Sequence, residues 1–185
     1  VKPGAGFDTH GHRDMEIISY VLEGSIEHKD SMGKHFVVPA GDIQRMSAGT
    51  GITHSEFNHS KTKSLHFLQI WIQPNKNGIK PSYEQKAVVQ QGPLTPLVTP
   101  NGREGSLSMQ QYASIYRLHL QAGEQHSFDA SKRPGYLHVI TGTAVLNGHD
   151  LQAGDALGAL KEQLSVTAQT ELKALWFDLP NVDVQ

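Results

Sequence analysis

One short pattern of strand and turn occurs twice in this chain, and it restricts the fold more than any other feature. Tyr20-Val-Leu-Glu-Gly24-Ser-Ile returns as His138-Val-Ile-Thr-Gly142-Thr-Ala, and Ala40-Gly41-Asp42 returns as Ala153-Gly154-Asp155. Each copy reads as a strand, a tight glycine turn, a returning strand and a second turn, with a shorter hairpin in the second copy. The same turns in the same order, flanked by matching strands, point to duplication. The expected fold class is therefore all-β, with two similar lobes in tandem. The 18 glycines and 9 prolines, set among many short Val/Ile/Thr-containing runs, agree with this. Almost no stretch keeps a 3.6-residue period.

Read in order, Met15 to Leu22 is nearly continuous in apolar character and predicts a buried strand. Ser25–Lys29, His35–Val38 and Ile43–Met46 follow as short strands, separated by turn chemistry at Glu23-Gly24, Asp30-Ser-Met-Gly33 and Pro39-Ala-Gly41-Asp42. Such regular spacing suggests a small barrel or sandwich. Ser64 to Ile72 predicts a long central strand, with His66 as a wall residue and Gln69 facing the same cavity without an assigned role. Pro74, Pro81, Pro93, Pro96 and Pro100 then change the character of the chain. The expected organisation is an N-terminal lobe over 1–75, a Pro/Gly-rich connection over 76–105 and a C-terminal lobe over 106–182.

The candidate chemistry lies in two x-spaced pairs. His10-Gly-His12 opens the first lobe, and His54-Ser-Glu56 follows the glycine-rich Ala48–Gly51. Residues i and i+2 of a strand share a face. Two such strands side by side would aim His10, His12, His54 and Glu56 into one space. Imidazole nitrogen with carboxylate oxygen suits a divalent transition metal. In the second lobe, counting from the repeated glycines puts Phe128 and Ala130 where His10 and His12 stand. The same count puts Thr167 and Gln169 at the places of His54 and Glu56. That lobe is expected to hold no metal.

Composition excludes several other classes. The formal net charge is −2, without a basic stripe or a long like-charge run, so no direct nucleic-acid binding is expected. No apolar run is long enough to span a bilayer, and no signal-like start is present. Cysteine is absent, which rules out disulfides and thiolate ligands and fits a cytoplasmic protein.

These motifs carry a family resemblance. Gly4…His10-x-His12…Glu16 resembles the first cupin motif, and Gly51-Ile-Thr-His54…Asn58 resembles the end of the second. Phe-Asp-Thr-His-Gly-His-Arg-Asp-Met-Glu, Tyr-Val-Leu-Glu-Gly, Met-Ser-Ala-Gly-Thr-Gly-Ile-Thr-His-Ser-Glu and Leu68-Gln-Ile-Trp71 are similar to the pirin family within the cupins. The resemblance runs over residues 1 to 75. It implies a bicupin fold, two stacked cupin (double-stranded β-helix, jelly-roll) barrels, with one metal in the first and a degenerate second barrel. In the general cupin motif the carboxylate stands one residue later than Glu16. A one-residue shift turns a strand side chain to the opposite face. Ile17 then takes the usual ligand slot, Glu16 becomes structural, and Glu56 supplies the carboxylate, as in pirins. Asn58 is expected to fix its loop.

Members of the family have quercetin 2,3-dioxygenase activity, and some act as nuclear transcription cofactors. The implied reaction uses Glu56 as base as well as ligand. It removes the proton of a flavonol 3-hydroxyl, dioxygen attacks the activated ring, and the ring opens with loss of carbon monoxide. Fe(II) is the first expectation, with Mn, Ni, Cu, Co or Zn compatible with the ligand types. The implied partners are a small aromatic, flavonol-like substrate and O2. The alternatives are a non-catalytic, metal-dependent regulatory or redox-sensing protein and, after it, a cupin isomerase or epimerase. Pirins carry further strands ahead of the motif that opens this chain. The first barrel is accordingly expected to lack its first strands, to self-associate through the open side and to retain metal more weakly.

Overall fold

The computed structural model describes residues 1–181. Nearly all regular structure in it is β, with one helical turn, Arg103–Gly105, among the described residues. No helix there is long and apolar enough to cross a membrane. The chain divides into two compact units, one built from Val1–Val88 with Pro100–Gln111, the other from Val89–Thr99 with the chain from Tyr112 onward.

The first unit holds β1 (Gly6–His12), β2 (Glu16–Glu23), β3 (Ser25–Asp30), β4 (His35–Pro39), β5 (Asp42–Ser47), β6 (Ile52–Asn58), β7 (His66–Ile72) and β8 (Ser82–Ala87). They form two antiparallel sheets, ordered β1-β6-β3-β4 and β7-β2-β5-β8. Register sorts the inward side chains into layers. Ile17, Met46, Ala48 and Ile52 make one apolar layer, and Val21, Ile26, Val38 and Leu65 make another. Between them, one strand position along, lie Ser19, Gln44, Gln69, His28, His54 and Glu56. A polar layer thus sits inside an apolar barrel. On the other face of the second sheet, Arg45 joins Glu84 at 3.0 Å, and Ser47 Oγ donates to Glu16 at 2.8 Å.

The second unit holds β9 (Leu94–Thr99), β11 (Ser114–Leu120), β12 (Gln125–Asp129), β13 (Gly135–Thr141), β14 (Thr143–Leu146), β15 (His149–Gln152), β16 (Ala156–Ala159), β17 (Gln163–Ala168) and β18 (Leu172–Asp178); the two-residue β10 (Leu107–Ser108) belongs to the first unit. Its sheets run β9-β11-β18-β13-β16 and β12-β17-β14-β15. Its buried core is an apolar cluster, with Phe128 stacked on Trp176 at 4.1 Å. The repeated glycines have one physical cause. Gly24 and Gly142 both take positive φ, and a Cβ would stand 2.8 Å from the Ser64 carbonyl oxygen or 2.1 Å from that of Glu171.

Three details differ from the sequence reading. Residues 76–105 are not a bare connection, because β8 extends the first unit's sheet and β9 pairs with β11 in the second. Pro81, Pro93 and Pro100 stand outside the strands, where a missing N–H is tolerated, and Pro96 alone lies within one, β9. β7, expected to be central from its apolar run, ends its sheet order, and His66 is exposed rather than a wall residue. Finally, the equivalences between lobes drift after Gly154. Phe128 pairs with Leu164, as His10 pairs with His54, so Leu164 and Val166 take the places of His54 and Glu56, not Thr167 and Gln169. The second copy is shorter between that turn and β17, and counting residues cannot see the deletion.

Candidate metal centre

The site begins with strand register. β1 and β6 pair antiparallel with His10 opposite His54 and His12 opposite Ile52. Directly opposed residues project side by side on one face. His10, His12 and His54 therefore converge, and His54 Nε2 lies 3.1 Å from Nε2 of both His10 and His12. His10 donates from Nδ1 to the Asp8 carbonyl at 2.7 Å, which leaves its Nε2 lone pair facing the cluster. His54 is buried, and its Nδ1 has no partner.

No arrangement of ring protons satisfies this group. A proton on His54 Nε2 can serve only one of the two facing nitrogens and leaves Nδ1 bare. A proton on Nδ1 is a buried donor without an acceptor, and it leaves Nε2 facing the His10 lone pair. A cation among the three Nε2 atoms would take up the lone pairs that otherwise face one another, so the residues present fit a divalent metal. Protonation is no remedy. Burial, then the neighbouring His10, His28 and His12, push His54 down to about 3. Burial and His10 lower His12 as well.

Glu56 stands on the same face of β6 as His54 and is 2 % exposed. Gln69 Nε2 donates to its Oε2 at 2.5 Å, and Ser19 Oγ to its Oε1 at 3.3 Å. Burial raises its pKa against both bonds. A cation beside it would favour the carboxylate.

The four expected donors are not one equidistant cluster. One atom each from His10, His12 and His54 fall within 4.8 Å of one another, and so do atoms of His28, His54 and Glu56. His54 belongs to both sets. Glu56 thus lies on the inner side of the centre, with His28 beside it in register. Sequence reading missed His28 and gave Gln69 no role. The alternation Ile26, His28, Asp30 along β3 carried the signal, since it aims His28 inward with the buried Ile26. Glu16 joins neither set. It is buried on the opposite face of β2, bonded to Ser47, while Ile17 points into the barrel. Asn58 donates from Nδ2 to the Val1, Lys2 and Lys63 carbonyls and so ties its loop down.

Residues 1–72 match the family description Pirin, and residues 96–179 match the quercetinase C-terminal cupin domain. A quercetin 2,3-dioxygenase of Escherichia coli (strain K12) is 46% identical over 187 residues, covering 98% of this chain and 80% of that protein. The chain belongs to the pirin family. The bacterial pirin YhhW of Escherichia coli, solved in complex with nickel(II), superposes with a TM-score of 0.94 at 44% identity, over 98% of this chain and 80% of that one. YhaK, also from Escherichia coli, superposes at 0.86 with 29% identity, over 97% of this chain and 81% of that one. The pirin assignment extends over both units, and the tandem cupin barrels described above are its fold.

Proposed function

We propose that this pirin is a metal-dependent dioxygenase that opens the central ring of flavonols such as quercetin. The observation that carries the reading is the convergence of three imidazole Nε2 atoms, 3.1 Å apart in two contacts, beside one buried carboxylate. The similarity to a quercetin 2,3-dioxygenase at 46% identity supports the reaction class. His10, His12 and His54 would hold the cation through Nε2, with Glu56 as the carboxylate donor on its inner side. When bound, the cation supplies Lewis acidity toward a phenolic oxygen and open positions for oxygen chemistry. Fe(II) leads on ligand type, and the nickel complex of YhhW makes Ni(II) the second cation to load.

The chain's own residues divide the remaining work. Glu56 accepts the proton of the flavonol 3-hydroxyl on a carboxylate oxygen. Gln69 and Ser19 hold that carboxylate, so its accepting lone pairs stay aimed into the barrel. The apolar layers on either side keep water from competing for the proton and strengthen each polar contact between them. The net reaction consumes one flavonol and one O2 and releases the ring-opened carboxylic ester and one CO.

The test is an aerobic assay of protein loaded separately with Fe(II) and Ni(II), following quercetin loss, O2 uptake and CO release. Equimolar CO, absent in His54→Ala and lowered about 10²-fold or more in Glu56→Gln, is the expected result. Full metal loading without flavonol consumption would overturn the dioxygenase and favour a regulatory role.

A further inference from the structure

The second unit is an internal control for which buried polar residues a barrel of this kind needs. Strand register aligns the two units residue by residue. Ser19 corresponds to Leu137, Gln44 to Leu157, Gln69 to Trp176, His28 to Leu146, His54 to Leu164 and Glu56 to Val166. The apolar layer beneath keeps its character, with Val21 matched by Val139, Ile26 by Ala144 and Val38 by Leu151. The fold itself therefore does not require the polar layer. Every buried polar position in it changes together with the metal donors, and His28 and Gln44 are among them.

His28 is fully buried and held from two sides. Its Nε2 lies 3.0 Å from Asp30 Oδ2, and its Nδ1 is 3.5 Å from the Gln44 amide nitrogen. The Asp30 side chain is equally buried, and its Oδ1 accepts the backbone N–H groups of Met32 and Lys34 at 2.9 and 3.0 Å. A turn needs only those two bonds, and a carboxylate is expensive to bury. Here the second oxygen is turned inward onto His28. A carboxylate gripping an imidazole beside a donor set is how outer residues orient metal ligands. The His28 ring packs 5.4 Å from the His54 ring and stands opposite Glu56 in register.

We infer that His28, gripped by Asp30 and Gln44, is a positioning residue of the metal centre that fixes the inner side of His54 and Glu56. The inference rests on the metal-centre reading and extends it to residues outside the expected donor set.

The test is Co(II) binding to the whole chain and to Asp30→Asn, His28→Gln and His28→Leu, read as stoichiometry, affinity by chelator competition and the d–d absorption spectrum. Asp30→Asn keeps the volume and the backbone bonds but loses the acceptor for His28, so its melting temperature should stay near that of the parent. Its Co(II) affinity should fall about 10–100-fold, with a changed d–d spectrum. His28→Gln retains an N–H for Asp30 and should recover part of the loss, whereas His28→Leu should not. Parent-like affinity and spectrum in both Asp30→Asn and His28→Leu would overturn the inference while leaving the metal centre intact. A parent chain that takes up no Co(II) would instead overturn the metal-centre reading, and this inference with it. If His28→Leu does not fold, Asp30→Asn and His28→Gln decide the matter.

Discussion

Lowering the pH should destabilise the metal-free first unit through His54, and the size can be worked from its environment. Burial and the surrounding imidazoles hold His54 at about 3 in the fold, against an ordinary value of 6.5. Below 6.5 the unfolded chain binds a proton that the folded chain refuses. Stability from this group is therefore complete above 6.5 and is lost as pH falls from there toward about 3. Between about pH 7.5 and about pH 5 the linkage amounts to about 2 kcal/mol, a large share of a typical domain's margin. Glu56 and Glu16, both raised by burial, act in the opposite sense. The diagnostic quantity is therefore the difference between the parent and His54→Leu.

The chain has two tryptophans, Trp71 in the first unit and Trp176 in the second. A Trp176→Phe background makes the fluorescence report on the first unit alone. Urea unfolding of metal-free protein at the two pH values should show the parent losing about 2 kcal/mol more than His54→Leu. A difference below about 0.5 kcal/mol, near the resolution of such extrapolations, would refute the account of His54 as an imidazole held neutral by its surroundings.

Two further outcomes follow from single contacts. Gln69→Leu strips Glu56 Oε2 of its donor at 2.5 Å, so metal affinity or flavonol turnover should drop about 10–100-fold with the fold retained; unchanged steady-state kinetics and metal content would show that Ser19 alone suffices. Gly135→Ala would place a Cβ 2.0 Å from the Trp176 ring, and such overpacking should lower the stability of the second unit by about 1–3 kcal/mol in calorimetry, with metal content unaffected; an unshifted transition would mean that Trp176 can move aside.

The strands of the first unit were legible because their signals are local. Apolar runs such as Ile17-Ile-Ser-Tyr-Val21 and turn residues such as Gly24 depend only on near neighbours in the chain. The spacing of the histidines was legible for the same reason, since a period of two is a property of one strand. The strands inside 76–105 were not. Their proline content argues for a linker, and only pairing with β5 and β11 makes strands of Ser82–Ala87 and Leu94–Thr99. The correspondence of Leu164 with His54 was equally out of reach, because a shortened loop between two strands leaves no mark at either end.

By itself, then, the sequence determined the fold class, the duplication, the family resemblance and the side of each strand on which His10, His12, His54 and Glu56 lie. Tertiary structure decided which strands stand side by side. It put His54 opposite His10, set Glu56 against His28, and brought Gln69 and Ser19 across from the facing sheet. The physical reason is range. A side chain's face follows from strand geometry two residues at a time, but its neighbours follow from pairings between residues dozens of positions apart. Those pairings are chosen by how whole sheets bury their apolar faces.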